Sequence, residues 1–285
     1  AQACTTRSYN GPQVTAPGDT PDAFLAYQPF RAAAMAASNP ANVPDEFMLI
    51  PGFSNLNASA VSTSYLTYTT NNIFSYDLNA CALKCDSIVG CQAFNIFYER
   101  DPLVVDPDTQ CPSPDLCPGL STNPSATFIK CAFYNSAVLP SEATNPGQYQ
   151  EDFHLVISGS NAYSRTAVSL PDYDAPIEYH NKAINIPTPV INYGYMRIQT
   201  FGTNVPYNVT LCALSCQSQS DYNSRHGGSA CVFFNAYNLY KNGANPVFTC
   251  VYYSKYYNSS YATNSGQYNS AGDHYTIGSS YGYSI

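Results

Sequence analysis

Two stretches of this chain carry the same cysteine frame in the same order, and that duplication limits the fold more than any other feature. Cys81-Ala-Leu-Lys-Cys85 stands against Cys212-Ala-Leu-Ser-Cys216, and Cys91-Gln-Ala-Phe-Asn95 against Cys231-Val-Phe-Phe-Asn235. Cys131-Ala-Phe-Tyr134 then matches Cys250-Val-Tyr-Tyr253, and Ala143-Thr-Asn-Pro-Gly-Gln-Tyr149 matches Ala262-Thr-Asn-Ser-Gly-Gln-Tyr268. His154, Ile157, Ser160, Tyr163 and Ser164 fall on His274, Ile277, Ser280, Tyr283 and Ser284 at a constant offset of 120. The opening Phe47-Met-Leu-Ile50 reads against Tyr195-Met-Arg-Ile198. These matches divide the chain into an N-terminal arm, 1–46, a first repeat, 47–165, a linker, 166–193, and a second repeat, 194–285. The arm and the linker are rich in Pro, Ala, Asn and Thr without periodicity, and are expected to run extended over the surface.

Each repeat reads as α+β. Leu78, Cys81, Ala82, Cys85 and Val89 fall on one helical face, with Asp77 as N-cap and Gly90 as stop. Val209, Cys212, Ala213 and Cys216 repeat that face behind Asn208 at the cap. Aromatic and β-branched runs follow at Ala93–Tyr98, Phe128–Tyr134 and Phe153–Ile157, and again at Val232–Tyr237, Phe248–Tyr253 and His274–Ile277. The repeats differ in loops. The first inserts Asp101–Thr127 with six prolines, and the second lengthens the stretch between Cys216 and Cys231. Cysteines at i,i+4 share a helix face. The later one reaches the next cysteine after one short turn, and the earlier one is left for the strand. This suggests Cys85–Cys91, Cys81–Cys131, Cys216–Cys231 and Cys212–Cys250, with Cys111–Cys117 local, although spacing alone permits other pairings. Cys4 is the eleventh cysteine, unpaired within the chain or bonded between chains.

The cysteines also bear on compartment. Eleven in 285 residues read as disulfides made outside the cell rather than zinc ligands, because the pairs are CxxxC and no histidine except His226 lies beside them. Only 11% of residues are charged, against about 25% in an ordinary globular chain, so the surface is uncharged and polar. Sequons at Asn57, Asn208 and Asn258 agree with a secreted, glycosylated protein at the cell surface or in a matrix. Ala1 reads as the start of a processed product. A net charge of −8 argues against nucleic acid, and no apolar run is long enough to span a membrane.

The CxxxC helix, a third cysteine near the next strand and a fourth one strand on resemble the PAN/apple domain, in both repeats. Phe94-Asn-Ile-Phe-Tyr-Glu-Arg-Asp-Pro102 and Ile157-Ser-Gly-Ser-Asn-Ala-Tyr163 also resemble secreted proteins of filamentous fungi with tandem units of this kind. The resemblance implies two disulfide-stapled units, each an antiparallel sheet crossed by one helix, non-catalytic, and binding proteins or carbohydrates. The second repeat lacks the Glu-Arg-Asp-Pro element, so a role tied to it would belong to the first repeat alone.

No catalytic motif stands out. There is no Gly-x-Ser-x-Gly elbow, phosphate loop or dinucleotide fingerprint, and no cofactor or metal is expected. His154 and His274 are read as side chains partnered within the sheet, and Asn95 and Asn235 as satisfying buried backbone groups. Glu99, Asp101, Asp106 and Asp108 could serve a glycosidase or calcium, but read first as a solvated Pro-rich loop with an Arg100 salt bridge. Two features carry functional weight. Fourteen of the 26 tyrosines lie in 194–285, and Tyr252, Tyr253, Tyr256, Tyr257 and Tyr261 alternate with Ser and Asn as recognition surfaces do. The first repeat sets four cations against ten acids, net −6, while the second is net +2. Homologous units of opposite sign can stack head to tail. The chain is therefore expected to be a non-enzymatic secreted structural or adhesive protein that self-associates head to tail into a fibre, coat or matrix. The alternative is a monomeric glycan- or protein-binding module.

Overall fold

The computed structural model describes residues 4–14, 18–70, 73–105, 124–150, 152–186, 194–202 and 205–285. The chain divides into two compact units, Ala1–Ser164 and Arg165–Ile285, each a disulfide-stabilised α+β fold.

Unit 1 holds helices α1 (Pro21–Leu25) and α2 (Gln28–Ala37), strands β1 (Phe47–Leu49) and β2 (Tyr65–Thr69), helix α3 (Leu78–Asp86), and strands β3 (Ala93–Pro102), β4 (Ser125–Tyr134) and β5 (Val156–Arg165). The sheet order is β1-β5-β3-β4-β2. The long pairings are antiparallel, with Phe94 opposite Phe133 and Tyr163. Every residue of β3 is buried, because both faces of the sheet are covered. Phe94, Ile96 and Tyr98 pack towards the helices with Cys81 and Cys85, while Ala93 and Phe97 pack opposite with Ile50, Phe53 and Val138. Alternation of side chains along a strand produces these two cores. Asp77 caps α3 by accepting from the amides of Asn79 and Ala80 at 2.9 and 3.2 Å. The helix stops at Ser87, so Val89 lies beyond it and is exposed, against the expectation that it shares the buried face.

The N-terminal arm does not run extended over the surface. Phe24, Phe30, Ala34 and Ala37 are buried, and Phe30 stacks on Tyr98 with ring centroids 4.1 Å apart. The apolar positions 30, 34 and 37 repeat at helical spacing, so the Ala-rich run forms an amphipathic helix. Ahead of it, Thr5 pairs with Val105, and Asn10 brackets Ile129, accepting from its amide at 2.6 Å and donating to its carbonyl at 3.0 Å.

Unit 2 holds β6 (Ile177–His180), β7 (Tyr195–Thr200), helix α4 (Val209–His226), β8 (Phe233–Lys241), β9 (Ala244–Tyr253) and β10 (His274–Ser284). Its order, β6-β10-β8-β9-β7, repeats that of unit 1 strand for strand. The linker supplies β6 to this sheet and buries Tyr179, Ala183 and Ile184, so 166–186 is structural rather than a surface connection. The topology corrects one match. Phe47–Leu49 sits at the β5 edge, whereas Tyr195–Thr200 sits beside β9, where unit 1 has Tyr65–Thr69. Tyr195 on Tyr253 reproduces Tyr65 on Tyr134, both edge to face. The extra residues after Cys216 also form helix, not loop. No Gly or Pro interrupts them before Gly227, which ends α4 at φ +73°.

Candidate functional site

A stretch that is identical at six of seven positions in the two units, Ala143–Tyr149 and Ala262–Tyr268, builds a surface hairpin in each. The Asn145 side chain accepts from the Gly147 amide at 3.2 Å, and Asn264 accepts from Gly266 at 3.0 Å. These glycines lie at φ +116° and +111°, where side chains are strained. A Cβ at Gly147 would stand 2.1 Å from the Leu155 carbonyl oxygen, and one at Gly266 2.0 Å from that of Tyr275. The turn therefore needs glycine. It sets Tyr149 opposite His154 and Tyr268 opposite His274.

In both hairpins the two rings lie face to face. Tyr149 and His154 have centroids 4.3 Å apart at 8°, and Tyr268 and His274 4.2 Å apart at 10°. The tyrosines are 68% and 69% exposed. His274 is thus partnered within the main sheet, at the start of β10, and His154 across a separate two-stranded hairpin. Each unit presents a rigid uncharged ring whose stacking partner fixes its orientation. Such a ring combines apolar contact with a polar tip. Gln148 and Gln267, and Thr144 and Thr263, are exposed beside them. Of the helix positions exposed in both units, Asp86 differs from Gln217, whereas Leu83 and Ser87 agree with Leu214 and Ser218. Packing explains the shared Asn and Gly of the hairpin, but it does not explain the shared exposed Gln and Tyr.

The acidic element of unit 1 is not a solvated loop. Glu99, Arg100 and Asp101 lie buried on β3, and each is paired. Lys130 of β4 bridges Glu99 and Asp101, 3.0 Å from the latter, and Arg7 stands 3.9 Å from Asp101. Arg100 pairs with Asp19 at 3.1 Å, donates to the His154 carbonyl at 2.9 Å and lies 4.3 Å above the Phe153 ring. Burial pushes the Glu99 carboxyl up to about 7, with Lys130 opposing and Asp101 adding to the shift. The same two carboxylates raise Lys130 against its own desolvation. Two acids sharing one ammonium clasp β3 to β4, and Arg7 and Asp19 tie the N-terminal segment to the same element. Asp106 and Asp108 lie outside the described residues. Among the described residues, no group of three or more His, Cys, Asp or Glu could hold a metal ion.

The bridges are Cys81–Cys131, Cys85–Cys91, Cys212–Cys250 and Cys216–Cys231, the pairs that the helix spacing suggests. Cys111 and Cys117 lie outside the described residues. Cys4 is disulfide-bonded, which removes it as the spare thiol. The antiparallel pairing of Thr5–Thr6 with Val104–Val105 ties its neighbours into unit 1. Of the sequons, Asn57 and Asn258 are exposed, while Asn208 is half-buried as the N-cap of α4, accepting from the Thr210 amide at 3.1 Å.

The tyrosine patch of repeat two does not form. Tyr252, Tyr253 and Tyr257 are buried, since Tyr253 and Tyr257 fill the core with Phe233 while Tyr252 packs under Arg197. Only Tyr256 and Tyr261 of that set are exposed. The hairpin tyrosines were signalled instead by the sequence identity of their two segments. No family model matches the chain, and no curated protein matches it.

Proposed function

We propose that this chain is a secreted, non-catalytic binding protein built of two PAN/apple-like units, each engaging extracellular glycans through its tyrosine–histidine hairpin. The observation that carries this reading is the recurrence of one exposed ring stack, with the same flanking Thr and Gln, in both units. A pyranose presents an apolar CH face that suits a fixed aromatic ring, and its hydroxyls suit neighbouring amides. The disulfides among the described residues, the exposed sequons and the low charge support an extracellular setting. Among the described residues no helix is long and apolar enough to cross a membrane. The test is a glycan array probed with the wild-type chain, Tyr149→Ala, Tyr268→Ala and the double variant. Each single variant should weaken binding, and the double variant should abolish it. Unchanged binding by the double variant would sink the hairpin reading.

Charge supports a second reading, head-to-tail self-association. With the unit boundary at 164/165, unit 1 carries five cations against fourteen acids, net −9, and unit 2 six against five, net +1. Opposed units steer encounter between chains, and salt screens that attraction over about 8 Å at physiological strength. The arm and Cys4 no longer support this reading, because both are engaged elsewhere. Sedimentation at tens of micromolar tests it. Oligomers that dissolve with added salt are expected, and a monomer at low salt refutes it.

A further inference from the structure

A groove of about 1140 Å³ opens in unit 1, away from the hairpin. Ala33, Ala36 and Ala37 of α2 line one part of it, and Phe74, Tyr76 and Leu78 another. Tyr98 and Ile129 reach it from the sheet. The α2 contribution comes from the N-terminal 46 residues, a segment without a counterpart in the duplicated sequence, so this site is a property of unit 1.

Its lining selects a class of ligand. Among the described residues no Lys, Arg or His lines the groove, and the unit is net −9, so phosphate, sulfate and carboxylate groups are disfavoured. Of its two carboxylates, Asp77 is engaged by the amides that it caps, and Asp45 is exposed. What remains is neutral. Phe74 is 75% exposed, an unusual position for a phenyl ring. Asn79 and Ser75 are exposed and make no side-chain hydrogen bond. Tyr98 lines the groove, and among the described residues its hydroxyl makes no hydrogen bond. In the same unit the hydroxyls of Tyr76, Tyr134 and Tyr163 all donate to backbone carbonyls. The Tyr98 hydroxyl therefore has its hydrogen-bonding capacity open to a ligand in the groove.

We propose that this groove binds an uncharged saccharide chain, with one sugar ring on Phe74 and sugar hydroxyls hydrogen-bonded to Tyr98, Asn79 and Ser75. Small alanines leave room for a thin ribbon, and the neutral donors and acceptors match hydroxyls better than a charged group. The site shares no residue with the Tyr149–His154 hairpin, so the two proposals stand or fall separately.

Calorimetry of the full chain tests this with four neutral hexasaccharides, β-1,4-glucan, β-1,3-glucan, β-1,4-N-acetylglucosamine and α-mannan, beside spermine as a cationic control. At least one hexasaccharide should bind. Phe74→Ala and Asn79→Ala should each weaken it about tenfold, the equivalent of 1.4 kcal/mol. Tyr98→Phe, which keeps the packed ring, should weaken it severalfold, and Tyr149→Ala with Tyr268→Ala should leave this binding in place. Phe74 is exposed, so its variant should melt as the wild type does. Binding of none of the four, binding indifferent to Phe74→Ala and Tyr98→Phe, or binding of spermine alone would overturn the proposal. Loss of binding in the hairpin variant alone would assign saccharide to the hairpin and overturn the groove.

Discussion

Asn95 and Asn235, 140 residues apart in one chain, hold the same three partners in their respective units. Asn95 accepts from the Ala60 amide at 2.9 Å and donates to the Ser160 hydroxyl at 2.9 Å and the Asn161 carbonyl at 2.8 Å. Asn235 accepts from Ile184 at 2.9 Å and donates to Ser280 and to the Tyr281 carbonyl, both at 3.0 Å. Each amide joins a central strand to the last strand and to a short segment that closes the opposite face. Removing the amide strands a buried backbone N–H and a buried carbonyl, at about 1–3 kcal/mol for each group left unmet. Asn95→Ala should therefore destabilise unit 1, and Asn235→Ala unit 2, by about 2–4 kcal/mol. Denaturant unfolding followed by residue-resolved hydrogen exchange would show each loss confined to its own unit.

Helix α2 belongs to the core of unit 1, so the first 46 residues cannot be removed as an appendage. Phe30→Ala should cost about 3–5 kcal/mol, the range for emptying a buried phenyl site. Deleting 1–46 should leave unit 1 unfolded while unit 2 keeps its dispersed amide spectrum. A truncated chain with two folded units would show that α2 is dispensable.

The clasp predicts a pH dependence. Glu99 titrates at about 7 in the fold against 4.5 ordinarily. Between those values the folded state keeps a proton that the unfolded chain has released. The group's contribution is thus full below about 4.5 and falls as pH rises through 7. Stability measured by urea midpoint should decline across that window in the wild type. Glu99→Gln should flatten the decline, and an identical slope in both proteins would contradict it.

Disulfide removal should scale with the loop closed. Cys81–Cys131 spans 50 residues and Cys212–Cys250 spans 38, which chain entropy places at about 4 kcal/mol each, against about 2 kcal/mol for the six-residue Cys85–Cys91 loop. Thermal melts of paired Cys→Ser variants would rank them. Eleven cysteines cannot all pair within one chain, yet Cys4 is bonded. Labelling the unreduced, denatured protein with a thiol reagent should therefore leave Cys4 unmodified, and Cys4→Ser should remove no reducible dimer on gels.

The helix faces and bridge partners were legible because a covalent staple at i,i+4 admits few geometries. The β-strands were placed but drawn short: β3 runs on through Glu99 to Pro102 because its charges find partners on β4 and the N-terminal segment. The Asn242-Gly243 pair between β8 and β9, both at positive φ, is a hairpin signal that the sequence itself carries. Tyr252 and Tyr253 read in sequence as surface residues, because tyrosine alternating with Ser and Asn suits exposure, yet both are buried. A sheet covered on both faces buries successive residues alike, and alternation then says nothing about solvent. Matching Phe47–Ile50 to Tyr195–Ile198 failed for a related reason. Short apolar edge strands look alike in sequence, and only hydrogen-bonded neighbours tell them apart.

In unit 2 the strand that opens the unit lies antiparallel beside the one that closes it, with Ile177 opposite Gly282. The chain therefore comes in and goes out at neighbouring points. A unit of this kind behaves as a cassette: it can be copied in tandem, excised or grafted between two adjacent points of another host without rethreading its interior. Joining its ends and opening a surface hairpin such as Asn242-Gly243 would yield a circular permutant with the same sheet.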